Sequence, residues 1–198
     1  MGMSEQYVWR AELNGRQIEL AIAPSRRLID ILRTDLQRTG TKISCEIGRC
    51  GACMVLIDGV AMNSCLLMAY QCQDRSIMTI EGLGSADGAD QAIARDSAAE
   101  DDQKMNTSVI AIQGKKSMLH PIQEAFVEEG GFQCGYCTPG MILSTKALLD
   151  QNPSPVKADI EEALCGNLCR CTGYSGIIRA VEQAAVKCRE QTLQKQEQ

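Results

Sequence analysis

The sequence predicts an α+β architecture, with a small mixed sheet packed on one helix in the first half and four helices in the second. Three observations predict it. The dipeptides Asn14-Gly15 and Asp58-Gly59 each sit between runs of alternating apolar and polar residues, which is the pattern of a two-residue hairpin. From Leu119 onward the apolar residues recur at three- and four-residue steps, the period of helices that bury one face. Eleven cysteines in 198 residues fall mostly into two spaced groups, one in each half.

Along the chain, "YVWRAELNGRQIELAIAP" supplies the first hairpin. "SRRLIDILRTDLQRTG" sets Leu28, Ile31, Leu32 and Leu36 on one helical face, with Ser25 expected as the N-cap and Gly40 as the stop. After a Gly- and Cys-rich loop, "ACMVLIDGVAMNSC" turns at Asp58-Gly59, and "SIMTIEGL" reads as a further strand. Residues 84–108, "GSADGADQAIARDSAAEDDQKMNTS", carry almost no large apolar side chains and read as a linker or surface excursion. "VIAIQGKK" at 109–116 reads either as a short strand or as a segment resting on a neighbour.

The helical half starts at "HPIQEAFVEEGG", with His120 expected to cap or pack the helix start before Pro121. "PGMILSTKALLDQNP" follows, with Thr138 expected as N-cap and Pro139 as the first helical residue. "SPVKADIEEALCGN" is expected to run to Gly166. A last helix from Ser175 carries Ile177, Val181, Ala184 or Ala185, and Cys188 on its apolar stripe, and "EQTLQKQEQ" is expected to fray. The expected division is therefore a first domain over 1–83, a linker over 84–118 and a helical domain over 119–198.

Composition narrows the functional classes. Apolar residues make up 44% of the chain, enough to bury a core, and aromatic residues only 4%, so Leu, Ile, Val, Met and Ala must build it. A formal charge of −5 argues against nucleic acid or an anionic membrane as partner. The N-terminus lacks the basic start and apolar run of a secretory signal, and no stretch of about 18 apolar residues spans a bilayer. A cytoplasmic location is expected. The single histidine, His120, leaves little for ordinary hydrolytic or acid-base chemistry. With no G-x-G-x-x-G flavin motif either, the chain alone is not expected to catalyse a reaction.

A reducing compartment does not keep disulfide frameworks, so metal binding is the leading explanation for the cysteines. Cys45, Cys50, Cys53 and Cys65 form C-x4-C-x2-C and then a fourth cysteine after eleven more residues, the ligand spacing of a plant-type 2Fe-2S site. A zinc site and buried free thiols are the alternatives. Gly48 and Gly51 stand where Cβ atoms are expected to crowd a cluster, and their amides are expected to reach its sulfurs. Cys134, Cys137, Cys169 and Cys171 form C-x2-C, thirty-one residues, then C-x-C. A zinc ribbon more often shows two C-x2-C knuckles, so the C-x-C half speaks against zinc while leaving it open. Cys137 is expected to lie against the positive end of a helix dipole, which favours a thiolate. Two helix-start loops are thus expected to give two thiolates each to one buried four-sulfur site. Cys72, Cys165 and Cys188 read as bystanders, although Cys165 offers a rival pairing with Cys169.

Both motifs in this order resemble the iron-sulfur subunit of the molybdenum hydroxylases, the xanthine dehydrogenase and aldehyde oxidase family. The resemblance rests on "CEIGRCGACMVLIDG", "SCL" at 64–66, "TIEGL" at 79–83, "LHPIQEAF" at 119–126, "QCGYCTPGM" at 133–141 and "GNLCRCTGY" at 166–174. It implies an N-terminal β-grasp ferredoxin-like domain and an all-α four-helix domain, each with one 2Fe-2S cluster. It also implies a hetero-oligomer, in which a large subunit oxidises substrate at a molybdopterin centre. Electrons then pass through the helical-domain cluster and the plant-type cluster to FAD on a third subunit. Gln133 and Cys171 match positions that the family places against the pterin. A purine such as hypoxanthine or xanthine is the expected substrate of the complex. An independent soluble ferredoxin-type carrier and a redox-inactive zinc adaptor are the rival functions. Two features depart from the family: the long 84–118 stretch, and Ser44 where many members have glycine.

Overall fold

The computed structural model describes residues 7–84 and 119–196. Val8–Leu13 (β1) and Arg16–Ala21 (β2) pair antiparallel, with Leu13 opposite Arg16. Asn14 and Gly15 take φ of 52° and 82°, the left-handed backbone that matches a two-residue turn to the twist of its strands. Met54–Ile57 (β3) and Val60–Asn63 (β4) repeat the device, with Asp58 and Gly59 at 50° and 83°. Ser76–Met78 (β5) lies between β1 and β3, parallel to the first and antiparallel to the second, giving the sheet order β2-β1-β5-β3-β4. The mixed sheet is as expected, but "SIMTIEGL" leaves it early. The Thr79 amide donates to the Asn14 side chain at 2.9 Å instead of to a neighbouring strand, and Ile80–Gly82 wind as a 3-10 turn.

Leu28–Asp30 (α1) runs on into a wide π turn over Ile31–Asp35. Leu28, Ile31 and Leu32 pack against Trp9, Ala11, Leu13, Val55, Ile57 and Ile77, the face that their spacing predicts. Burying each such side chain contributes about 1.5–3 kcal/mol. The ends of this helix differ from expectation. Arg27, in extended conformation, holds the N-cap position in place of Ser25. The backbone there pairs with 67–69 (Leu28 N–H to Leu67 O, Ala69 N–H to Arg26 O), so no helix can begin earlier. The helix stops at Leu36, ahead of Gln37 at φ 54°, and not at Gly40.

Strand β3 is buried at all four positions. Val55 and Ile57 face the α1 core, while Met54 and Leu56 meet Leu143 and Ala147 from the second half. Burial on both faces explains why "MVLI" is a continuous apolar run rather than an alternation.

Pro121–Glu128 (α2), Thr138–Gln151 (α3), Lys157–Ala163 (α4) and Ser175–Gln196 (α5) are the helices described in the second half. Ile122, Ala125 and Phe126 of α2 share a core with Ile177, Ala180, Val181 and Ala184 of α5. His120 caps α2 as expected: its Nδ1 accepts the Ile122 amide at 3.2 Å, and its own amide donates to Gln123 Oε1 at 2.9 Å. Other boundaries shift. The N-cap of α3 is Cys137 and not Thr138, whose Oγ1 is buried without a hydrogen-bond partner among the described residues. Helix α4 ends at Ala163, short of Gly166. Helix α5 stays regular to Gln196 through the segment expected to fray, because Glu, Gln, Lys and Leu are good helix formers even when solvated. Residues 85–118, including the candidate strand at 109–116, lie outside the described residues. Among the described residues no helix is long and apolar enough to cross a membrane.

Candidate metal centres

The first cysteine set occupies the loop between α1 and β3 and the turn after β4. Glu46, Gly48 and Gly51 all take positive φ, so the loop coils on itself and turns its amides inward. The Arg49 N–H donates to Cys45 Sγ at 3.3 Å. The Cys45 thiol is held down to about 7, first by the Ile47 N–H, then by the amides of Arg49 and Cys50, with burial opposing. Cys65 is delivered by a 3-10 turn, Ser64–Leu66. Ser64 fixes that turn, its amide and hydroxyl both donating to the Cys53 carbonyl at 3.2 and 2.7 Å. Cys53 and Cys65 lie buried with Ile29, and burial pushes the Cys53 thiol up to about 12, the Cys65 amide opposing and the Cys65 thiol adding to the rise.

The glycines of this loop also make room for protein atoms. A Cβ on Gly48 collides with the Leu66 side chain, and a Cβ on Gly51 comes within 2.6 Å of Gly166 O and against Asn167. The crowding that Gly51 relieves is thus with the helical half, brought in over its backbone. The same contact recurs at Gly140, where a Cβ collides with Gly51 O.

The second set is assembled from the loop before α3 and the turn before α5. Cys134 Sγ and Cys171 Sγ are 3.7 Å apart, and Cys137 is in hydrogen-bond contact with Cys169. Thr172 donates its hydroxyl to Cys169 Sγ at 3.2 Å, and Tyr174 OH accepts the Cys169 N–H at 2.8 Å. Burial raises the Cys169 thiol, but the Thr172 hydroxyl, the amides of Cys171 and Thr172 and the Cys137 thiol together bring it down to about 7. Cys137 does sit at the start of α3, yet its thiol is pushed up to about 12, first by burial and then by Cys169. The contact with Cys134 raises the Cys171 thiol.

The site is also not fully buried. Cys134 and Cys171 are exposed, as are Gln133, Phe132, Tyr136 and Leu168 beside them, because both loops end at the surface. Cys72 is buried under the sheet, Cys188 packs on the helical core, and Cys165 is exposed. A cleft of about 490 Å³ between α3 and α5 includes Cys188 and none of the eight site cysteines.

The two sets touch through one backbone bond and two side chains. Leu168 N–H donates to Cys50 O at 2.9 Å, buried Asn167 reaches Gly51 O with its Nδ2 at 3.4 Å and accepts Ser144 Oγ at 2.8 Å, and Tyr136 OH donates to Ile43 O. Sequence spacing predicts the eight cysteines but not these partners; only Thr172, a hydroxyl next to the C-x-C pair, carries a local signal.

The donor chemistry fits a two-iron cluster at each set. Such a cluster takes two thiolates per iron, and a tetrahedral metal with bonds of about 2.3 Å holds two thiolates about 3.8 Å apart. Cys134 and Cys171 stand at that separation. Among the described residues no three or more His, Cys, Asp or Glu converge in the manner of a single-ion site; the cysteines meet in pairs. Thr138 Oγ1, orphaned beside Cys137, would be a further donor toward a bound cluster, whose charge is about −2 when oxidised.

Comparison with known proteins gives two family matches: a 2Fe-2S iron-sulfur cluster binding domain over residues 11–75 and a 2Fe-2S binding domain over residues 109–182. A probable xanthine dehydrogenase subunit of Bacillus subtilis (strain 168) is 48% identical over 172 residues, covering 87% of this chain and 82% of that one. The nicotinate dehydrogenase small FeS subunit of Eubacterium barkeri is 42% identical over 176 residues, covering 89% and 93%. The crystal structure of quinoline 2-oxidoreductase from Pseudomonas putida 86 matches with a TM-score of 0.74 at 36% identity, covering 94% of this chain and 98% of that one.

Proposed function

The chain belongs to the iron-sulfur subunits of the molybdenum hydroxylases, and on that premise we propose that it carries electrons from a molybdopterin-bearing large subunit to an FAD-bearing subunit, in a cytoplasmic hetero-oligomer that oxidises a purine. It serves an oxidoreductase complex and is not catalytic alone. We assign residues 1–83 to the plant-type ferredoxin-like domain and 119–198 to the four-helix domain, with 84–118 as the linker between them, the end of which falls within the family match over 109–182.

Cys45, Cys50, Cys53 and Cys65 would hold one 2Fe-2S cluster, and Cys134, Cys137, Cys169 and Cys171 the other. When bound, these clusters supply reversible one-electron carriage. The chain's own residues set the surroundings. The amides of Ile47 and Arg49 offset thiolate charge at Cys45, Ser64 keeps Cys65 beside Cys53, and the Leu168–Cys50 bond holds the two loops together. The exposed rim of Cys134, Cys171, Gln133, Phe132, Tyr136 and Leu168 is the side we assign to the large subunit, with Gln133 and Cys171 toward the pterin.

The observation that carries this reading is the agreement of both 2Fe-2S domains, in order, with small subunits of about the same length. The purine rests on the relative named for xanthine, at 48% identity. The test is affinity purification of the tagged chain from its own cell. The reading expects co-purifying subunits with molybdenum and flavin, and turnover of hypoxanthine or xanthine in preference to nicotinate. A chain that stays monomeric beside the candidate large subunit would instead be an independent ferredoxin-type carrier.

A further inference from the structure

We infer that Thr172 sets the reduction potential of the second cluster through a hydrogen bond from its hydroxyl to the Cys169 sulfur, an inference that rests on the ligand set proposed above. Thr172 Oγ1 lies 3.2 Å from Cys169 Sγ and accepts the Tyr174 N–H, also at 3.2 Å. The second bond occupies a lone pair of the hydroxyl and leaves its O–H to point at sulfur. Tyr174 is held at φ 68°, a conformation that residues other than glycine seldom adopt. Its own hydroxyl accepts the Cys169 N–H at 2.8 Å and donates to Asn167 O at 3.1 Å. One turn therefore grips Cys169 at both amide and sulfur. Cys134 and Cys171 contact each other at 3.7 Å, and among the described residues neither sulfur has a hydroxyl donor.

A donor on a ligand sulfur stabilises the more negative, reduced state more than the oxidised one and raises the potential. Thr172 is thus a positioning residue whose effect is read in one cluster only.

The experiment is a redox titration of the full chain, loaded anaerobically and followed by electron paramagnetic resonance, for wild type, Thr172→Val, Thr172→Ala and Thr172→Ser. At the potential where the wild-type second cluster is half reduced, the valine and alanine variants are expected to show a reduced-to-oxidised ratio about tenfold lower, about 59 mV for a one-electron couple. Serine restores the ratio, and the first cluster does not move. An unchanged second-cluster midpoint in iron-replete alanine or valine protein overturns the inference, as does a serine variant that behaves like valine. Loss of the second cluster from both variants also counts against it, since it makes Thr172 a structural residue. Wild-type protein without a second cluster signal would remove the ligand assignment itself.

Discussion

The backbone N–H of Leu168 donates to the carbonyl of Cys50 at 2.9 Å. One hydrogen bond and one peptide link therefore separate a cysteine of the first set from Cys169 of the second. Replacing Leu168 with proline removes the donor. Electrons delivered by substrate to the assembled complex are then expected to pass from the second cluster to the first more slowly, measured against the rate at which the second cluster itself fills. Freeze-quench spectroscopy of the two signals checks this, and equal rates in both proteins would count against a conducting role for the contact.

Asn167, 2% exposed, is the polar pin beside that bond. Its side chain accepts Ser144 Oγ at 2.8 Å and donates to Gly51 O at 3.4 Å, so Asn167→Ala strands a buried hydroxyl and leaves the Gly51 carbonyl with the Met54 N–H alone, at 3.1 Å. The expected loss is about 1–3 kcal/mol, measured by urea unfolding of the iron-loaded chain. A change within about 0.5 kcal/mol would mean that the halves do not depend on it.

Cys165 tests the choice of ligands. It is exposed at the end of α4, and Cys165→Ser is expected to keep both cluster signals, whereas serine at Cys169 or Cys171 removes one. Loss of a signal from the Cys165 variant would move the ligand set to the rival pairing.

Burial pushes the Cys72 thiol from its ordinary 9.0 up to about 11. The folded state holds this proton more tightly than the unfolded chain. Its contribution is therefore complete below pH 9 and declines as pH rises through 11. Cys72→Ala should flatten the alkaline fall in the urea midpoint over that window, on a baseline lowered by the cavity. Parallel curves for the two proteins would show that Cys72 does not titrate with unfolding.

Local chemistry was legible in the letters. Asn14-Gly15 and Asp58-Gly59 gave their turns because positive φ at both positions leaves few residue choices. Leu28, Ile31 and Leu32 gave their face through spacing alone. What was misjudged or missed depends on distant chain. Ser25 fails as a cap because 26–28 pair with 67–69, and Thr138 gives way to Cys137. Gly51 makes room for Gly166 and Asn167, more than a hundred residues on. Asn167, Ser64 and Tyr174 stand inside the quoted motifs, but their roles were not read because an isolated hydrogen bond leaves no periodicity to detect. The eight cysteines were visible because ligand spacing is a local constraint; the unequal burial of those cysteines was not.

The central claim is that each half of the chain carries its own di-iron cluster on four cysteines. Iron and acid-labile sulfide, quantified on anaerobically purified full-length protein alongside its dithionite-reduced paramagnetic resonance spectrum, test it most directly. The account predicts about four irons and four sulfides per chain and two distinguishable signals, at two irons per 2Fe-2S cluster. Protein carrying zinc in either set, or well under four irons with a single signal, would contradict it.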